Sequence, residues 1–153
     1  MTNFNVETLR ALLARAESAM GPDTELDGLI HVAFCGIAHD RVMNDGAGWA
    51  MFKGRSNLVA HIGHHNIPKI TASIDAATAL IERVLPGHNI RFSSHAYING
   101  VYQGDGKSIV TIYSPLSSGG PPRWTGIGNN YALSYCSALL RALIHIAEAR
   151  AND

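Results

Sequence analysis

Two hydrophobic periods run through this chain, and their order constrains the fold more than any other feature. In four stretches apolar residues recur every three or four positions, the spacing of one face of an α-helix. Leu9, Leu12, Leu13, Ala16 and Met20 form the first stripe; Leu26, Leu29, Ile30, Ala33, Phe34 and Ile37 the second; Ile74, Ala77, Leu80, Ile81 and Val84 the third. The fourth is Leu133, Cys136, Leu139, Leu140, Leu143, Ile144 and Ala147. Between the third and fourth the period changes. Ile90, Phe92, Ser94, Ala96 and Ile98 share one parity over residues 89–99, and Ile109, Val110 and Ile112 lie within residues 108–113, the pattern of strands. Helical and strand segments in this order predict an α+β domain.

The breaks fall between these segments. Gly21-Pro22 closes the first helix, and Asp23 and Glu25 suit the first turn of the second. Thr71 or Ser73 caps the third, Pro86-Gly87 ends it, and Asn129 or Asn130 caps the fourth. Asn99-Gly100 marks a turn before a short strand at Val101-Tyr102. Residues 38–68 carry Asp45-Gly46, Gly48, Gly54, Gly63 and Pro68 and are expected to form an irregular excursion, with at most a short strand or a turn of helix. Residues 114–128 are rich enough in glycine and proline to be expected as a loop. At 153 residues the chain, 1–153, is one domain able to bury its own core.

Charge and flanking sequence exclude several classes. Lys plus Arg and Asp plus Glu number 12 each, so no net field favours generic nucleic-acid or anionic-membrane binding, although a local basic patch stays open. The start, Met1 to Glu7, has neither a basic nor an apolar signal-like stretch, and a cytoplasmic, membrane-free protein is the expectation. Cys35 and Cys136 fall in apolar helical patterns and read as reduced, buried thiols.

Three segments in order, Leu12-Leu13-Ala14-Arg15-Ala16-Glu17 running into Gly21-Pro22-Asp23-Thr24-Glu25-Leu26-Asp27, then Ile70-Thr71-Ala72-Ser73-Ile74-Asp75-Ala76-Ala77, then the run from Ala132 to Ala142, make the chain similar to the phage ABA-sandwich family. The resemblance implies a small antiparallel sheet packed with helices in an α/β/α sandwich, in a protein made by phages or prophages. It supplies no activity to carry over, and the sequence departs from the shortest members at residues 38–68 and 119–128. Special function is expected in those departures.

The leading candidate site is Arg123-Trp124-Thr125-Gly126-Ile127-Gly128-Asn129-Asn130, read as a loop-to-helix junction. Gly126 and Gly128 would let backbone amides approach a phosphate, Arg123 would add a charge-assisted bond and Trp124 a stacking face, with Thr125, Asn129 and Asn130 completing the lining. Tyr97 and Tyr102 on the strands, near Ser93, Ser94 and His95, are further candidates, and Tyr113 is of the same kind. A small nucleotide-like ligand follows, held without cofactor or catalysis by an anti-defence sequestering protein, with pockets between subunits of a homo-oligomer. The alternatives are a metal-dependent hydrolase using His61, His64 and His65, and a protein-interaction module built on residues 38–68. No nucleophile elbow is present, and an enzyme is not the favoured reading.

Overall fold

A computed structural model describes residues 5–93, 97–98, 101–102, 107–115 and 122–152. The chain is α+β, with four helices and two small antiparallel three-stranded sheets. The helices are α1 (Val6–Ser18), α2 (Thr24–Phe34), α3 (Ile74–Val84) and α4 (Tyr131–Ala151). The first sheet is a meander of β1 (Arg41–Asn44), β2 (Gly48–Lys53) and β3 (Asn57–Gly63). The second has the order β4-β7-β8, from β4 (Asn89–Ser93), β7 (Ser108–Tyr113) and β8 (Arg123–Gly128). Between β4 and β7 a two-stranded pair, β5 (Tyr97–Ile98) and β6 (Val101–Tyr102), sets Tyr97 opposite Tyr102.

α4 is the centre of the molecule. Residues 132–140 are all buried, because one side of the helix rests on β7 and β8 and the other meets α1 and α3. It is long and apolar enough to cross a membrane by length and composition, yet its apolar side chains are covered by the rest of the chain. The main core joins Leu9 and Leu12 of α1, Leu26 and Ile30 of α2, Leu80 and Ile81 of α3, Val110 and Ile112 of β7, and Leu133, Leu139 and Leu140 of α4. α2 has a second apolar side, where Val32 meets Trp49, Met51 and Ile67 in a smaller cluster beneath the first sheet. α2 therefore lies between the main core and the first sheet.

The first sheet corrects the expectation for residues 38–68. Gly46 and Gly54 have φ of 84° and 69°, a left-handed backbone that glycine adopts without steric cost, and each sits in a tight turn between strands. Asp45 organises the first turn by accepting from the Ala47 and Gly48 amides at 3.0 and 3.1 Å. The Ala47 amide is the chief cause that holds its carboxyl below the ordinary value, and His61, 3.3 Å away, and the Gly48 amide add to it. The breaks in the sequence pattern are hairpin turns.

One polar network ties the helix starts together. Asp23 caps α2 through the Leu26 amide at 2.9 Å and takes two bonds from Arg15 of α1, at 2.9 and 3.1 Å. Burial pushes its carboxyl up, but Arg15 and the backbone donors outweigh it and the net shift is downward. The Thr71 hydroxyl accepts from the Asp23 amide at 2.8 Å, the Thr71 amide donates to Asp27 at 2.7 Å, and the Thr71 carbonyl accepts from Asn130, the cap of α4, at 3.1 Å. Ser73, not Thr71, caps α3. Glu17 accepts from Ser137 at 3.1 Å and from Arg141 at 2.6 Å. Residues 15–27 thus hydrogen-bond both to the segment that leads into α3 and to α4.

Candidate functional site

The register of the second sheet sorts its side chains onto two faces, since successive residues of a strand point in opposite directions. β7 pairs Ser108 with Gly128, Val110 with Gly126 and Ile112 with Trp124, and this set faces α4. On β4, Ile90 stands opposite Ile112 and joins the same side. The reverse face carries Asn89 and Arg91 from β4, Ile109, Thr111 and Tyr113 from β7, and Arg123, Thr125 and Ile127 from β8. Among the described residues no helix packs on it.

That sorting divides the expected junction. Residues 123–128 are a strand paired along its whole length with β7, not a loop. Gly126 and Gly128 do not cradle a ligand: a Cβ at Gly126 would overlap the Ala138 amide and the Ser134 carbonyl, and one at Gly128 would crowd Leu133 and Ser134. They are glycine because α4 lies directly on the strand. Asn130 is committed to the α4 cap, accepting from the Leu133 amide at 2.7 Å, and Asn129 donates to the Ala19 carbonyl at 2.7 Å. Trp124 is half-buried on the helix side, its ring 6.1 Å from that of His88 and 5.7 Å from that of His145. Arg123 and Thr125 alone of the expected set remain on the open face.

On that face they meet residues from the other strands. Arg123 stands directly opposite Tyr113, and Arg91 leans along its strand to place its guanidinium carbon 5.5 Å from the centre of the Tyr113 ring. One row away the hydroxyls of Thr111 and Thr125 are 3.1 Å apart. Both arginines are exposed, Thr111, Tyr113, Thr125 and Ile127 are half-buried, and Ile109 near the start of β7 is buried, so the open part of the face is its Arg91–Tyr113–Arg123 end. Among the described residues no carboxylate pairs with Arg91 or Arg123, whereas Arg10 and Arg141 of the helices each hold one and Arg15 holds two. A local cationic patch thus exists within a chain of zero net charge. The missed members were within reach of the sequence: strand parity separates Arg91 from Ile90 and Phe92, and Tyr113 ends the same strand as Ile112.

The strands pair Tyr97 with Tyr102, but nothing of their side chains is described, and Ser94, His95 and residues 116–121 lie outside the described residues. His61 is on β3, while His64 and His65 form a single 3-10 turn after it. Among the described residues no three His, Cys, Asp or Glu side chains come together as a metal site, so the histidine cluster of the sequence is not a cluster in space. Burial pushes the Cys136 thiol up to about 12, and Cys35 donates to the Val32 carbonyl at 3.1 Å. A thiol with so high a pKa is protonated at neutral pH and is no nucleophile.

Comparisons of the chain with protein-family models, with curated proteins and with solved structures find no match.

Proposed function

We propose that this chain is a non-catalytic binding protein that holds a small, phosphate-bearing, nucleotide-like ligand on the open face of its second sheet. The observation that carries this reading is the pair Arg91 and Arg123 beside Tyr113, exposed and without a carboxylate partner among the described residues. Guanidinium groups form strong, short bonds to phosphate, and an aromatic ring beside them offers a stacking surface for a base. The Thr111 and Thr125 hydroxyls supply neutral donors one row away. The resemblance to the phage ABA-sandwich family supports a phage or prophage accessory protein acting by sequestration in an anti-defence role.

Calorimetric titration with ADP tests the site. Arg91→Ala and Arg123→Ala are each expected to weaken binding by about 1.5 to 3 kcal/mol, the range of charge-assisted bonds. Trp124→Ala, altered on the other face, is expected to leave affinity nearly unchanged. Binding lost with Trp124 and retained without the arginines would move the site to the helix side.

A protein-interaction role is favoured separately by the first sheet, where Met43, Leu58 and Val59 are exposed. A native mass above that of one chain, restored to one chain by Leu58→Lys, is the result expected of a homo-oligomer formed through that sheet.

A further inference from the structure

The arrangement of the two arginines bears on the kind of anion, and this inference rests on the binding reading above. Their strands lie on either side of β7, so their backbones are about 10 Å apart across two strand spacings. The side chains do not keep that separation. Arg91 belongs to the row of Thr111 and Thr125 yet tilts toward the next row, over Tyr113, and Arg123 is the direct cross-strand neighbour of Tyr113. One guanidinium therefore lies against the Tyr113 ring, and the second arginine starts from the position directly across from it. Directly opposed residues on adjacent strands have Cβ atoms about 5 Å apart, which brings Arg123 within reach of the same ligand group as Arg91.

We infer that this face selects a ligand whose negative charge is concentrated in one group, the terminal phosphate or pyrophosphate of a nucleotide, over a phosphodiester that carries a single charge. A dianionic phosphate offers three terminal oxygens, enough for two guanidinium forks and one hydroxyl at once. The Thr111–Thr125 pair fits the third place: with one hydroxyl proton used between the two oxygens, the other is available to the ligand. A diester has only two unesterified oxygens and half the charge, so one of the two arginines would lack a full partner.

The test compares ADP, AMP and 3′,5′-cyclic AMP on the intact chain, probes that share a base and a sugar and differ at phosphorus. ADP and AMP are expected to bind at least about tenfold more tightly than the cyclic diester, one charge-assisted bond being equivalent to that factor or more. Arg91→Lys, which keeps the charge and loses the fork, is expected to erase most of that preference while circular dichroism shows an unchanged fold. If cyclic AMP binds as tightly as AMP and both depend on Arg91 and Arg123, the site stands and the charge-concentration inference falls. If none of the three binds, or if binding ignores both arginines, the site itself falls with it.

Discussion

The two sheets are alike in size and unlike in everything that touches them. Each has three antiparallel strands, one face turned to the helices and one turned away, and each outer face has an arginine against an aromatic ring, Arg41 over Phe52 at 4.6 Å and Arg91 over Tyr113 at 5.5 Å. The second sheet is fastened to α4 at the backbone: Gly126 and Gly128 admit the helix, and Ser134 donates to the Ser108 carbonyl at 2.7 Å. The first rests on α2 through side chains, with the Trp49 indole lying on Gly28 and its buried N–H unpaired. Outward, the first presents Met43, Leu58 and Val59, and the second presents two arginines and two threonines. A sheet locked to the core can hold side chains in fixed positions for a ligand, whereas one resting on a single small cluster suits a surface that another molecule covers.

The sharpest way to break this contrast is to add one methyl group beneath each sheet. Gly126→Ala forces a Cβ into the backbone of α4, which has no rotamer to yield, and is expected to cost about 3 kcal/mol or more, read as a lowered urea midpoint for the whole molecule. Gly28→Ala meets the Trp49 ring, a side chain that can swing aside, and is expected to cost about 1 to 3 kcal/mol. Hydrogen exchange separates the two. The Gly28 variant should lose protection in β1, β2 and β3 while β7 and α4 keep theirs; equal loss in both sheets would mean that the first sheet is as integral as the second.

The smallest effect concerns the network that ties the helix starts together. Burial is the chief cause that raises the Asp27 carboxyl above its ordinary 3.8, with the Thr71 amide opposing it. A raised pKa means the folded state holds that proton more tightly. The stability it contributes is full below 3.8 and is lost as pH rises through the folded value. Asp23, whose carboxyl is lowered on balance, works in the opposite sense and loses its contribution on acidification. Asp27→Asn keeps an acceptor for Thr71, and removes only the first of these slopes. Denaturation of both proteins between pH 4 and 8 should show the variant gaining on the parent as pH rises, and parallel curves would remove Asp27 from the account.

The four helices were legible in the sequence because each carries an apolar stripe: the residues read as facing the core in α4, from Leu133 to Leu143, are buried, whereas Met20 and Ile37, read into the first two stripes, lie beyond α1 and α2 and are exposed. Asn130 was legible as a cap for the same reason. The first sheet was not. Its inner positions Val42, Trp49, Met51, Ala60 and Ile62 alternate, but short strands separated by glycine turns resemble a loop when the turns are read as breaks. β8 was hidden differently. Gly126 and Gly128 weaken any strand pattern, and only the nearness of α4, which no local rule conveys, explains them. The candidate face was half legible, since Arg123 and Thr125 were singled out but Trp124 was placed beside them, an arrangement that strand alternation forbids.

Because α4 fills the middle of the molecule, α1, α3 and β7 have their common partner in residues 131–151. During synthesis, at about 5 to 20 residues per second, the segments from α1 to β8 are made before the helix that covers them. The core therefore closes only once α4 has been made, and until then the apolar faces of α1 and α3 lack their native cover.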